Sequence, residues 1–217
     1  MNNIINHYLK NKGLFICFEG GEGSGKTSQI KLISEILKKH NIPFILTREP
    51  GGTQLGEEIR KILVSGSGKK LDSFSELLCF TAARRQHVNE IILPALNSGK
   101  VVLCDRFIDS TIVYQGLVGG VDIELIEHLH KDFCFNLYPD LTILLDIDPN
   151  IGLKRKNFSN LTEDRFEQFG LNFHIDIRKA FLKVSENNHH RYTVINADNQ
   201  KNEISYLIEK NINDFFK

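Results

Sequence analysis

Gly20-Gly21-Glu22-Gly23-Ser24-Gly25-Lys26-Thr27 matches the spacing G-x-x-x-x-G-K-[ST] and directly follows the apolar run Leu14-Phe15-Ile16-Cys17-Phe18. Glycines at these positions let backbone N–H groups curl around a polyphosphate where a side chain would block the approach. Lys26 reaches the terminal phosphates as a point charge, and the Thr27 hydroxyl can ligate Mg²⁺. A helix starting near Lys26 adds its N-terminal partial positive charge. The expected chemistry of Gly20 to Thr27 is the binding of a nucleoside triphosphate. Arg48 and Arg106 stand at the ends of two further apolar runs, and their guanidinium forks suit an anionic acceptor facing that triphosphate. Phosphoryl transfer between two anions needs such local charge, because its loose transition state is stabilised by position and electrostatics. Asp105 either holds Mg²⁺, directly or through water, or serves as a cap or ion-pair partner to its neighbour.

A rigid frame has to position these groups, and the chain alternates strand and helix patterns. Leu14–Phe18 reads as a buried strand, and Thr27–His40 as a helix with Ile30, Ile33, Ile36 and Leu37 on one face. Pro43–Thr47 is a second strand, closed by the turn Glu49-Pro50-Gly51-Gly52. Helical patterns cover Leu55–Val64 and Ser73 to about Leu96, with a polar loop at Ser65–Lys70 and a stop at Asn97-Ser98-Gly99. Val101–Cys104, Leu141–Leu145 and Tyr192–Ile195 read as strands; Asp122–Phe133, a segment capped by Asp146–Pro149, and Glu203–Phe216 read as helices. The expected fold is α/β, a three-layer arrangement with a five-stranded parallel sheet covered on both faces. No repeat or low-complexity linker divides it, so residues 1–217 are expected to form a single domain with 1–12 as an N-terminal extension. Ligands in such sheets bind beyond the carboxyl ends of the strands, where all three groups of residues above fall.

Composition narrows the function. Lys and Arg number 27, balanced by 27 Asp and Glu, so no global basic field invites nucleic acid and positive charge has to act locally. The four cysteines, Cys17, Cys79, Cys104 and Cys134, have no C-x-x-C spacing, which argues for a reducing compartment and against disulfides or zinc. No apolar stretch approaches the roughly 18 residues of a membrane span, and Met1–Lys12 does not read as a signal peptide. A cytoplasmic protein with no membrane partner is expected.

Several segments resemble bacterial thymidylate kinases. They are Phe18–Thr27, Thr47-Arg48-Glu49-Pro50-Gly51-Gly52-Thr53, Phe80-Thr81-Ala82-Ala83-Arg84, Asp105-Arg106-Phe107 with Ser110-Thr111 and Tyr114-Gln115-Gly116, Pro139-Asp140-Leu141-Thr142, and Gly152-Leu153-Lys154-Arg155. They occur in the family's order and spacing from about residue 14 to 167. The resemblance implies a P-loop NTPase fold, Mg²⁺ dependence, the reaction ATP + dTMP ⇌ ADP + dTDP on the way to dTTP, and usually a homodimer.

Carried onto this chain, the resemblance assigns Glu22 to the 3′-hydroxyl of dTMP, and Arg48 and Arg106 to its phosphate. Phe80 would stack on thymine, with Arg84 donating to the 4-carbonyl oxygen; their i, i+4 spacing on one helix face lets both touch one ring. Thr111 would approach the ring imide with Gln115 nearby, and Tyr114 would close the pocket against the sugar's 2′ position. Asn196-Ala197-Asp198 sits where the family holds adenine. A short flexible lid is implied at about 154–165, where Arg155 or Arg165 would stabilise the transferred phosphoryl group and Glu167 would help order the site. That stretch has two arginines and two lysines, fewer arginines than the family's richer lids. Phe107 stands where the family often has Tyr or His. The helix residues Leu77, Leu78, Thr81, Val88 and Ile92 form either a dimer interface or core. A deoxynucleoside kinase is the nearest alternative, but a neutral nucleoside would not need two phosphate-facing arginines. A GTPase-like switch would need Asn-Lys-x-Asp, which Asn11-Lys12-Gly13-Leu14 lacks. A binding protein that had lost catalysis would not need Lys26, Arg48, Asp105 and Arg106 all intact.

Overall fold

The five apolar runs form one parallel sheet in a computed structural model that describes residues 13–64, 71–157 and 169–215. The strands are β1 (Leu14–Glu19), β2 (Phe44–Arg48), β3 (Val101–Asp105), β4 (Leu141–Asp146) and β5 (Tyr192–Asn196), in the order β2-β3-β1-β4-β5. Every residue of β1 is buried. The alternation along it explains this: Leu14, Ile16 and Phe18 enter one core, and Phe15 and Cys17 the other. On the first face Ile30, Ile33 and Leu37 of α1 (Lys26–Lys39) and Ile204, Ile208 and Ile212 of α9 (Lys201–Phe215) complete the packing. On the second face lie Leu77 of α3 (Ser73–His87), Ile126 of α6 (Ile123–Phe133) and Ile177 and Phe181 of α8 (Leu171–Asn187). The three-layer α/β expectation therefore holds.

α2 (Gln54–Val64) and α3 lie on the β2 side of the sheet's carboxyl end. Asp72 caps α3 by accepting from the Ser75 amide at 2.8 Å. The helix expected to run to Leu96 does continue, but through a wide π-helical turn, Val88–Ile92, into α4 (Leu93–Asn97). Pro94 explains the widening, because it has no amide hydrogen and its ring crowds the carbonyl four residues back. Leu77, Val88 and Ile92 are core, whereas Leu78 is exposed. Two helical stretches lie where the sequence patterns point to none. One is α5 (Ile108–Thr111) with the π-helical segment Ile112–Val118; the other is α8. The first is rich in β-branched residues, and α8 begins with Leu171, Phe173, Ile175 and Ile177 in a strand-like alternation. All four cysteines are free thiols. Among the described residues no helix is long and apolar enough to cross a membrane.

Parallel pairing brings the strands' carboxyl ends to one edge. Phe18 and Arg48 both stand in register with Asp105, and Asp146 with Asn196. The loops leaving that edge build the candidate site, with α7 (Pro149–Asn157) beside them.

Candidate active site

Between β1 and α1 the backbone turns with positive φ at Gly20, Gly23 and Gly25. Gly25 caps α1 at φ 89°, and no atom lies within 4 Å of where its Cβ would stand, so the loop mouth is open there. Gly23 is under a different constraint: a Cβ would meet the Gly152 carbonyl oxygen of α7 at 1.9 Å, and one on Gly152 would meet the Glu22 carbonyl at 2.3 Å. Two glycines thus let the loop and α7 touch backbone to backbone. The Lys26 ammonium donates to the carbonyls of Gly20 (2.9 Å) and Gly21 (3.1 Å) and to Ser24 Oγ (3.4 Å). Burial, then the Arg106 charge, draws its pKa below the ordinary lysine value, against the opposing pull of Asp105, Glu22 and Glu19. The first turn of α1 has no acidic residue, which keeps its dipole available to an anion.

At the next strand end the Thr27 hydroxyl donates to Asp105 Oδ2 at 2.9 Å. A hydroxyl and a carboxylate side by side at the cleft are the hard oxygen donors that suit Mg²⁺. Arg106, with φ 70°, turns its guanidinium back toward the loop, donating to Glu22 Oε1 at 2.9 Å and Ser110 Oγ at 3.1 Å. Burial disfavours its charge, but Tyr114, Glu22, Glu19 and Asp105 outweigh that and hold it protonated. Glu19, the last residue of β1, is fully buried beneath this arginine. It accepts from the Phe107 amide (2.9 Å), the Ser110 amide (3.2 Å) and Ser110 Oγ (2.7 Å), and so fixes the start of α5. Burial pushes its carboxyl up to about 7, against the opposing pull of Arg106 and these donors.

The opposite wall comes from α2, α3 and the 108–118 segment. Arg48 is half exposed and donates to Glu57 Oε2 at 3.1 Å, while Glu57 Oε1 accepts the Gly52 amide at 3.1 Å. Arg84 is buried; its Nε donates to Glu49 Oε2 at 2.7 Å and an Nη to Thr111 Oγ1 at 2.8 Å. His87 Nδ1 engages the other Glu49 oxygen at 2.9 Å, and its Nε2 meets Thr47 Oγ1. Burial pushes Glu49 upward, but Arg84 and His87 outweigh it and hold the carboxyl below its usual range. Gln115 Nε2 donates to Glu76 Oε2 at 2.9 Å.

These walls enclose one continuous cleft of about 970 Å³, large enough for more than one ligand. Glu22, Gly23, Ser24, Gly25, Lys26 and Thr27 line it on one side. Arg48, Phe80, Arg84, Asp105, Arg106, Thr111, Tyr114 and Gln115 line the rest. Gly20 and Gly21 contribute through the carbonyls that hold Lys26. Arg155 reaches the cleft from a different direction: it donates to the Ala197 carbonyl at 2.6 Å and to Asp198 Oδ1 at 3.1 Å, after β5. Arg165 and Glu167, with most of the expected lid, lie outside the described residues, as do residues 1–12 and the loop expected at Ser65–Lys70. Sequence reasoning gave no role to Glu19, Glu49, Glu57, Glu76 or Ser110, although Glu19, Glu49 and Ser110 stand within the segments that resemble the family. Glu19 and Glu49 did carry a signal, since each is an acid at the end of an apolar strand beside a glycine turn.

Comparisons with known proteins point to one family. A family model described as Thymidylate kinase matches residues 18–208. The chain is 47% identical over 187 residues to the thymidylate kinase of Magnetococcus marinus, covering 86% of this chain and 89% of that one. It is 48% identical over 189 residues to the thymidylate kinase of Afipia carboxidovorans, covering 86% and 83% respectively. The crystal structure of thymidylate kinase from Ehrlichia chaffeensis matches with a TM-score of 0.73 and 38% identity, over 92% of this chain and 98% of that one.

Proposed function

The chain belongs to the thymidylate kinase family, and on that premise we propose that it transfers the γ-phosphoryl group of ATP to dTMP, giving ADP and dTDP. The observation that carries this reading is the single cleft that joins the phosphate loop, two strand-end arginines and the Phe80–Arg84 helix face. The loop amides, the α1 N-terminus and Lys26 bind the ATP phosphates. Arg48 and Arg106 hold the dTMP phosphate, with Glu22 set for the sugar's 3′-hydroxyl, Phe80 for the thymine face and Tyr114 for the 2′ side. An oxygen of the dTMP phosphate forms the new bond to the γ phosphorus as the bond to the β–γ bridging oxygen breaks. The attacking dTMP oxygen is already largely anionic at neutral pH, so the site needs positive charge and alignment more than a general base. Thr27 and Asp105 would hold Mg²⁺, which neutralises charge between the phosphates when bound.

Arg155 is fixed against the turn after β5, the turn that on this reading would hold adenine. A role on the transferred phosphoryl group would require it to leave that turn, and Arg165 is the other candidate. The 154–165 stretch would act as the lid of a single kinase domain spanning 1–217. A homodimer is supported by the exposed apolar side chains of Leu55 and Ile62 on α2 and of Phe74 and Leu78 on α3, two helices that pack together. Free thiols fit action in the cytoplasm. The test is ADP release with Mg²⁺-ATP and a panel of dTMP, dUMP, UMP, CMP, AMP and thymidine. Strong preference for dTMP is expected; preference for thymidine would replace this reading with a nucleoside kinase. With no turnover on any of them, a dTMP titration separates a binding protein from a defective lid.

A further inference from the structure

Glu76, Phe80 and Arg84 are four residues apart along α3, so all three share one helix face, and that face meets Thr111 and Gln115 across the cleft. Two of the polar groups that can reach a base edge, Arg84 and Gln115, are held from behind by carboxylates, and Thr111 is held by Arg84. Arg84 spends its Nε hydrogen on Glu49 and one Nη hydrogen on Thr111, which leaves its remaining donors for the cleft. Thr111 Oγ1 accepts from Arg84, so its own hydroxyl hydrogen is directed elsewhere. Gln115 is the decisive member. An amide can present either its oxygen or its NH₂, and the two ends are nearly the same shape. Here the NH₂ end is turned to the Glu76 carboxylate, donating one of its hydrogens at 2.9 Å, and the oxygen end points the other way. An ionised carboxylate only accepts, so the Gln115 oxygen is the group left to face the cleft.

We propose that Glu76 and Glu49 are positioning residues of the base-reading wall, Glu76 fixing the polarity of the Gln115 amide and Glu49 the place of Arg84, so that the wall offers donors at Arg84 and an acceptor at Gln115 and selects a 4-keto, N3-protonated pyrimidine over a 4-aminopyrimidine. Thymine presents an acceptor at position 4 and a donor at N3; cytosine reverses both. With the Glu76 tether in place, the cytosine pattern meets donor against donor and acceptor against acceptor. Without it, Gln115 can turn over and offer its NH₂ to the cytosine N3 at little cost, which removes one of the two mismatches and leaves the one at Arg84. Glu49 acts on Arg84 by position, because a guanidinium donates whichever way it turns.

The inference rests on the cleft being the dTMP site. The experiment is the ratio of kcat/KM for dTMP to that for 5-methyl-2′-deoxycytidine monophosphate, which keeps the methyl group, sugar and phosphate and changes only the 4 and N3 positions. Wild-type protein should phosphorylate dTMP and strongly reject the analogue; no turnover of dTMP refutes the dTMP reading itself, whereas equal use of dTMP and the analogue leaves that reading standing and overturns this proposal. In Glu76→Gln the ratio should fall at least about 10-fold, the scale of one mismatched buried hydrogen bond, while Glu76→Asp should keep most of it. Equal losses on both nucleotides, with the ratio unchanged, would overturn the proposal and leave Glu76 a purely structural residue. If Glu76→Gln does not fold, Gln115→Asn, which shortens the amide away from Glu76, should lower the ratio in the same way, and an unchanged ratio there counts equally against it.

Discussion

Glu19 provides a stability signature that follows from its burial. Its carboxyl lies under the phosphate loop with no solvent exposure, and burial lifts its pKa from 4.5 to about 7 even though Arg106, Ser110 and the Phe107 amide all favour the charged form. Between those two values the folded chain holds a proton that the unfolded chain has lost. The Glu19 contribution is therefore fully present below about pH 4.5 and is lost as pH rises through about 7. At 1.36 kcal/mol per pKa unit, the span corresponds to a loss on the order of 3 kcal/mol. Glu19→Gln keeps acceptors for the two amides and carries no charge at any pH, so it should not show this loss. Other groups titrate too: His130, lowered to about 4 mainly by burial, acts in the opposite direction as pH falls. Such groups are common to both proteins and cancel in the difference. Urea unfolding of wild type and Glu19→Gln from pH 4.5 to 8 should show the variant gaining stability relative to wild type across the interval, with the gain complete above about pH 8. Parallel curves would refute the reasoning, because they would mean that Glu19 stays charged in the fold.

Arg106→Ala should lower kcat at least about 100-fold, the cost of one charge-stabilising donor, with far-UV circular dichroism unchanged; normal turnover would remove Arg106 from the phosphate clamp. Phe80→Ala should raise the KM for dTMP roughly 10-fold, in line with the loss of one base–aromatic stack, while the KM for ATP stays put; equal shifts on both substrates would argue against stacking. Gly152→Ala puts a Cβ 2.3 Å from the Glu22 carbonyl, so the phosphate loop has to shift. The variant should bind ATP more weakly and melt lower, whereas Gly170→Ala, with nothing within 4 Å of the new Cβ, serves as the neutral control.

The sequence made plain whatever depends on near neighbours along the chain. The five strands appear as apolar runs because each is short and packed on the sheet, and Gly20–Thr27 is legible because its geometry is set within eight residues. Phe80 and Arg84 could be paired on paper because four residues of helix bring them to one face. The carboxylates behind the arginines were not legible in this way. Glu19 reaches Phe107 and Ser110 across 88 and 91 residues, Glu49 reaches Arg84 across 35, and Glu76 reaches Gln115 across 39. The helical turn at Ile108–Thr111 depends on the first of these contacts, so its β-branched sequence carried no local sign of it. The balance of 27 basic and 27 acidic residues takes on a different meaning once those contacts are seen. It excludes a long-range field, and inside the cleft the same balance is local: Arg48 meets Glu57, Arg84 meets Glu49, and Arg106 meets Glu22. The guanidinium groups are therefore already held in place before any ligand arrives. Under the proposed function a dTMP phosphate would share Arg48 and Arg106 with the carboxylates they now contact, so the clamp would gain orientation at the expense of some raw attraction.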